Sequence, residues 1–111
     1  MERYVSLPYE DDFEDFLNEN KELYYNACYK QIHENFYGEN LDEVEIMVVL
    51  FEDNPDTEYV ISVIREEYEL NLSYCLAYFE DEEDYEMCQK INELISNIRV
   101  YNELNPNKDE S

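Results

Sequence analysis

Apolar side chains in the first third of the chain recur at helical spacing. They fall at Phe13, Phe16, Leu17, Leu23, Tyr24, Ala27, Cys28, Ile32 and Phe36, which predicts one helix from about Pro8 to Tyr37. Acids crowd its first turns, where the helix dipole favours them, and Gly38 stands where a C-terminal cap belongs. The pattern then changes. Val44 to Phe51 is a short, mostly apolar, partly β-branched run that reads as a buried strand. Asn54-Pro55-Asp56 is a turn signal, so Glu58 to Ile64 reads as a second strand paired with the first. From Tyr68 to Tyr78 the large side chains alternate (Tyr68, Leu70, Leu72, Tyr74, Leu76, Tyr78), which predicts a third strand. Helical spacing returns from about Asp81 to Leu104, with Tyr85, Cys88, Ile91, Leu94, Ile95, Ile98 and Tyr101 on one face.

The elements sum to an α+β fold of order α-β-β-β-α, a three-stranded antiparallel sheet packed by helices. An all-α bundle competes with it. Asn40 with Glu43 resembles a capping box, and Asn54-Pro55 can open a helix that carries Val60, Val63 and Ile64 inward. The 111 residues are enough for one domain, read as 1–104, with the polar stretch 105–111 as a tail.

Charge changes the picture. Thirty Asp and Glu face seven Lys and Arg, a net charge of −23. Colloidal stability needs a magnitude of only about 2–8, and the surplus repels itself in the compact state. A folded chain of this length is about 35 Å across, and that length of B-DNA carries about 20 phosphates. Twelve tyrosines and a hydrophobic fraction of 44% separate the sequence from disordered acidic tails. Each tyrosine can bury its ring and keep its hydroxyl wet, which suits a thin core.

The acids form three groups. In the first helix Asp11, Asp15, Glu19 and Glu22 are spaced to share one face, opposite most of the apolar stripe. A second, denser run comprises Glu80, Asp81, Glu82, Glu83, Asp84 and Glu86, flanked by Tyr78, Phe79 and Tyr85. Its leading acids, Asp81 to Asp84, are expected at the positive end of the last helix. A third follows the middle of the chain: Glu52, Asp53, Asp56, Glu58, Glu66, Glu67 and Glu69. Aromatics beside acids offer apolar contact in a groove that otherwise stacks bases. A solvated face explains any single run, but not the scarcity of lysines that would relieve these ladders.

Residues for catalysis are scarce. His33 is the only histidine, and its place within a helix marks it as an ordinary helix residue rather than a base. Cys28, Cys75 and Cys88 have neither zinc spacing nor a disulfide pattern, which points to core filling and to a reducing, cytoplasmic setting. A single glycine cannot build a phosphate-binding loop, and no calcium-loop spacing with a central glycine occurs. No apolar run is long enough to span a membrane, and the start of the sequence lacks a secretory pattern. The sequence therefore predicts no enzyme, no cofactor and no resident metal. It predicts a basic protein partner, with no direct binding to nucleic acid or membrane, for a monomer or homodimer.

The composition resembles that of phage-encoded anti-restriction and anti-CRISPR proteins, which are small, acidic, tyrosine-bearing DNA mimics. Locally, Thr57 to Ser62 and the acidic stretch Phe79 to Tyr85 resemble the small α/β anti-CRISPR that occupies the PAM-reading site of Cas9. The resemblance implies that carboxylates of these segments meet arginines and lysines that otherwise grip the PAM duplex. The expected partner is thus a nucleic-acid-binding protein: a Cas effector first, then a restriction enzyme or a repair glycosylase. Other classes compatible with the charge are an acidic adaptor or chaperone for basic DNA-binding proteins, and a regulator of host RNA polymerase.

Overall fold

The computed structural model describes residues 4–105. Nearly all of the expected C-terminal tail lies outside them. The architecture is α+β, and its contacts divide the chain into two compact units, up to Tyr68 and from Glu69 onward.

The first unit opens with β1 (Tyr4–Leu7) and a 3-10 turn (Glu10–Asp12). Two helices follow, α1 (Phe13–Glu19) and α2 (Lys21–Tyr37), then β2 (Glu43–Phe51) and β3 (Glu58–Ile64). The sheet order is β1-β2-β3. The expected hairpin is present: β2 and β3 pair antiparallel from Glu43↔Ile64 to Leu50↔Glu58, with a bulge between Glu45 and Met47. Asn54 and Thr57 close its loop through Asn54 N–H to the Phe51 carbonyl (3.3 Å) and Thr57 N–H to the Asn54 carbonyl (3.0 Å).

The third strand is not the expected one. It is β1, and it runs parallel to β2 with Tyr4 opposite Val48 and Leu7 opposite Phe51, so the sheet is mixed rather than antiparallel. A parallel pair needs a long crossover, which α1 and α2 provide. Tyr68 to Tyr78, expected as a strand, belongs to α3 (Tyr68–Asp81). Tyr68, Leu72, Cys75 and Phe79 are buried at helical spacing, whereas Leu70 and Tyr74 of the alternating set are half exposed. The segment has no Val, Ile or Thr, the side chains that suit a pleated surface.

The long first helix is also divided. Asn20 leaves helical geometry (φ −128°, ψ 44°). Its side-chain amide donates to the Phe16 carbonyl (2.9 Å), the acceptor that its own backbone N–H would have used in an unbroken helix. The Asn20 carbonyl then accepts from Tyr24 N–H (3.1 Å) to start α2.

The exit of α2 is held by buried polar bonds. Asn35 donates to the Leu41 carbonyl (3.0 Å) and to the Tyr68 hydroxyl (2.6 Å), and accepts from Leu41 N–H (3.0 Å). Gly38 caps the helix, as expected. A β-carbon there would stand 2.6 Å from the Glu34 carbonyl oxygen, so no larger residue fits undistorted. Asn40 takes the left-handed conformation (φ 54°) instead of opening a helix with Glu43.

The second unit is a helical hairpin of α3 and α4 (Tyr85–Leu104). Arg99 Nε near the end of α4 donates to Glu69 Oε1 in the first turn of α3 (2.6 Å), so the helices run antiparallel. Cys88, Ile91, Leu94, Ile95 and Ile98 are buried, the stripe read from the sequence, while Tyr85 at its start is 67% exposed. No helix among the described residues is long and apolar enough to cross a membrane.

Candidate anionic interface

The densest acidic run forms the turn between α3 and α4, and its backbone follows a helix-ending motif in full. Asp84 N–H reaches back to the Phe79 carbonyl (2.9 Å) and Glu83 N–H to the Glu80 carbonyl (3.0 Å), the paired bonds of a Schellman cap. The cap requires one residue in the left-handed region, and that residue is Glu83 (φ 59°). Glycine normally fills this position, because any β-carbon there costs about 1–2 kcal/mol.

The neighbouring acids divide into favoured and disfavoured. Asp84 is the N-cap of α4, its carboxylate accepting from Met87 N–H (3.3 Å), and Glu86 lies in the first helical turn. Glu80 and Asp81 instead close α3, at the negative end of its dipole. This corrects the expectation that the run from Asp81 sits at a helix's positive end. Glu80 through Glu86 are all exposed. Their field reaches inward: burial pushes the Cys88 thiol up from its ordinary value, and the Glu80 and Asp84 charges add to the rise. Tyr85 is exposed beside the acids, whereas Tyr78 is half-buried with its ring edge against Phe79 (5.0 Å between centroids).

Neither a protein-family model, nor a curated protein sequence, nor a solved structure matches this chain.

In the first unit, Asp11, Asp15 and Glu19 are exposed at four-residue intervals through the 3-10 turn and α1. Glu22 does not extend this ladder, because the break at Asn20 puts it in the first turn of a separate helix. Asp15 and Glu19 line a cleft of about 290 Å³ with Asp12, Phe16 and Leu7. Glu66 and Glu67 are exposed in a 3-10 turn (Arg65–Glu67). Glu69, grouped with them from the sequence, is neutralised by Arg99 in the second unit.

Two other acids of the first unit serve the fold. The Asp53 carboxylate accepts from Glu10 N–H (3.2 Å), and Glu10 accepts from the Tyr59 hydroxyl. That bond comes first in raising the Tyr59 phenol above its ordinary range, followed by burial and the charges of Glu10 and Asp11. Sequence reading missed a second acidic cleft of about 560 Å³, lined by Glu34, Glu39, Glu43 and Glu45 beside Gly38. These acids are dispersed along the chain and meet only where α2 ends against the start of β2. Among the described residues no three His, Cys, Asp or Glu side chains are grouped to hold a metal ion.

Proposed function

We propose that this chain is a non-enzymatic inhibitor that presents carboxylates in place of phosphates to the basic groove of a nucleic-acid-binding enzyme. The observation that carries the reading is Glu83, a glutamate at a left-handed helix cap within a run of exposed acids. Folding favours glycine there and a cation rather than Glu80 and Asp81 at the end of α3. Local rules broken at exposed positions, with no compensating contact for the fold, mark residues kept for another purpose.

The acids of this turn stand in for backbone phosphates and meet Arg and Lys of the groove. Tyr85 adds an apolar surface of the kind on which such grooves stack bases. Charge steers the encounter, so association is fast at low salt and slows as salt rises. The target of first choice is a Cas effector, in line with the resemblance of Thr57 to Ser62 and Phe79 to Tyr85; a restriction enzyme or a uracil-DNA glycosylase is the alternative. Three buried cysteines that form no disulfide fit action in a reducing cytoplasm.

The test is affinity capture from a bacterial lysate with the full chain, repeated with excess duplex DNA. Capture of one nucleic-acid enzyme, displaced by DNA, is the expected result. Simultaneous, mutually indifferent binding of chain and DNA to that enzyme overturns the reading. Indiscriminate capture of many cationic proteins would instead indicate an acidic adaptor.

A further inference from the structure

One face of the sheet is apolar, buried at its centre and partly exposed around it. Register puts Tyr4 of β1, Val48 of β2 and Val60 of β3 side by side on it, with Leu50 in the next row and Ile64 toward the far end. Val48 is 3% exposed, while Tyr4, Leu50, Val60 and Ile64 are exposed by 37–50%. The opposite face holds Met47, Val49, Phe51 and Val63, all nearly fully buried, so alternation has given the sheet two apolar faces where a half-solvated sheet needs one.

The carboxylates on the open face are placed with equal regularity. Glu58 pairs with Leu50, Glu43 with Ile64, and Glu45 with Ser62, so acids border the apolar strip on both sides. Ser62 Oγ donates to Glu43 Oε2 (2.6 Å), which helps to orient that carboxylate. Among the described residues, no strand position on this face is Lys or Arg. A contiguous apolar patch rimmed by charge marks an interaction site, and the charge sign selects the partner.

We infer that this sheet face docks a basic amphipathic segment of another protein. Its apolar side chains cover Leu50 and Val60, and its Lys or Arg side chains reach Glu43, Glu45 and Glu58. A second copy of this chain fits poorly, because an isologous contact sets the same acidic rims against one another. The inference uses the sheet rather than the turn between α3 and α4 that carries the proposed function, and shares with that reading only Glu58, Val60 and Ser62 of β3.

The probes are two synthetic peptides of equal charge: a Leu/Lys peptide patterned as an amphipathic helix, and its counterpart with Ser at every Leu. Binding is measured in salt strong enough to screen exposed charges. The Leu/Lys peptide is expected to bind at least about tenfold tighter, the worth of one buried leucine. It should slow amide exchange in β2 and β3. The Leu50→Thr, Val60→Thr double variant keeps strand propensity and should erase the preference while leaving the Ser/Lys peptide unaffected. The exchange footprint is read on the wild-type chain, so the test survives a variant that fails to fold. Equal affinity for both peptides, or protection confined to the turn between α3 and α4, overturns the inference. A self-association abolished by the double variant also overturns it, in favour of a second copy. Neutralising the acids of the turn should leave the peptide preference intact, which separates this result from the proposed function.

Discussion

Two helices of this chain, α2 and α3, both end beside a residue in the left-handed region, and they use opposite kinds of residue there. Each must satisfy its last carbonyls, and each uses a residue in the left-handed region soon after its final turn. At the exit of α2 the residues are those folding favours. Gly38 occupies the position where a β-carbon would strike the Glu34 carbonyl, Asn40 takes the left-handed conformation, and buried Asn35 holds Leu41 through both its amide atoms. At the exit of α3 the hydrogen bonds are equally complete, yet Glu83 takes the left-handed position and carboxylates surround it. Both exits place a residue in the left-handed region, and under the proposed function the difference in residue choice reflects a second demand on the α3 exit. Exposed carboxylates disfavoured by their own helix are what an anionic binding surface requires.

The comparison breaks most severely at Asn35. Its replacement by Ala leaves the Leu41 N–H and carbonyl without their buried partner, so urea denaturation should show a loss of about 1–3 kcal/mol. Gly38→Ala should lose stability too, by roughly 1–3 kcal/mol, since the Glu34 carbonyl must shift. The matching change at the other exit should act in the opposite direction. Glu83→Gly should stabilise the chain by roughly 1 kcal/mol, measured by the same denaturation midpoint. A loss of stability there would show that the glutamate serves the fold and would remove the contrast between the two exits.

A smaller effect depends on pH and belongs to the first unit. The Tyr59 phenol is raised by its bond to Glu10, and the Tyr68 phenol by burial, which outweighs the lowering by Asn35 and Arg65. Folding therefore retains two phenolic protons. The stability they contribute is complete below about pH 10, the ordinary value, and drains away as pH rises through the folded values. Alkaline denaturation of Tyr59→Phe should show a shallower decline than that of the wild type, and an unchanged slope would contradict the assignment.

How much of this was legible in the sequence depends on which interactions are local. The β2–β3 hairpin could be read because Val, Ile and the Asn54-Pro55 turn each favour it independently. The buried stripe of α4 was equally plain. The alternation from Tyr68 to Tyr78 misled because tyrosine tolerates exposure, so Tyr74 and half-exposed Leu70 mimicked a buried face. The out-of-phase Cys75 and Phe79, together with the acids before Tyr68, carried the correct helical signal. The four residues of β1 are too few for periodicity to register, and the division of the first helix depends on one asparagine side chain bonding its own backbone. For the candidate interface, the acids from Glu80 to Glu86 are exposed as their density implied. Which acids are compensated could not be read, because Glu69 meets Arg99 and Glu10 meets Tyr59 across long stretches of sequence.

On the proposed function, the turn between α3 and α4 binds its partner at some expense to folding. The most direct test is the affinity of the captured enzyme for a chain carrying Glu80→Gln, Glu82→Gln, Glu83→Gln and Asp84→Asn, the last chosen because asparagine preserves the N-cap of α4. The account predicts a loss of about a hundredfold or more relative to wild type, with a weaker dependence on salt. An unchanged affinity and an unchanged salt dependence would contradict it.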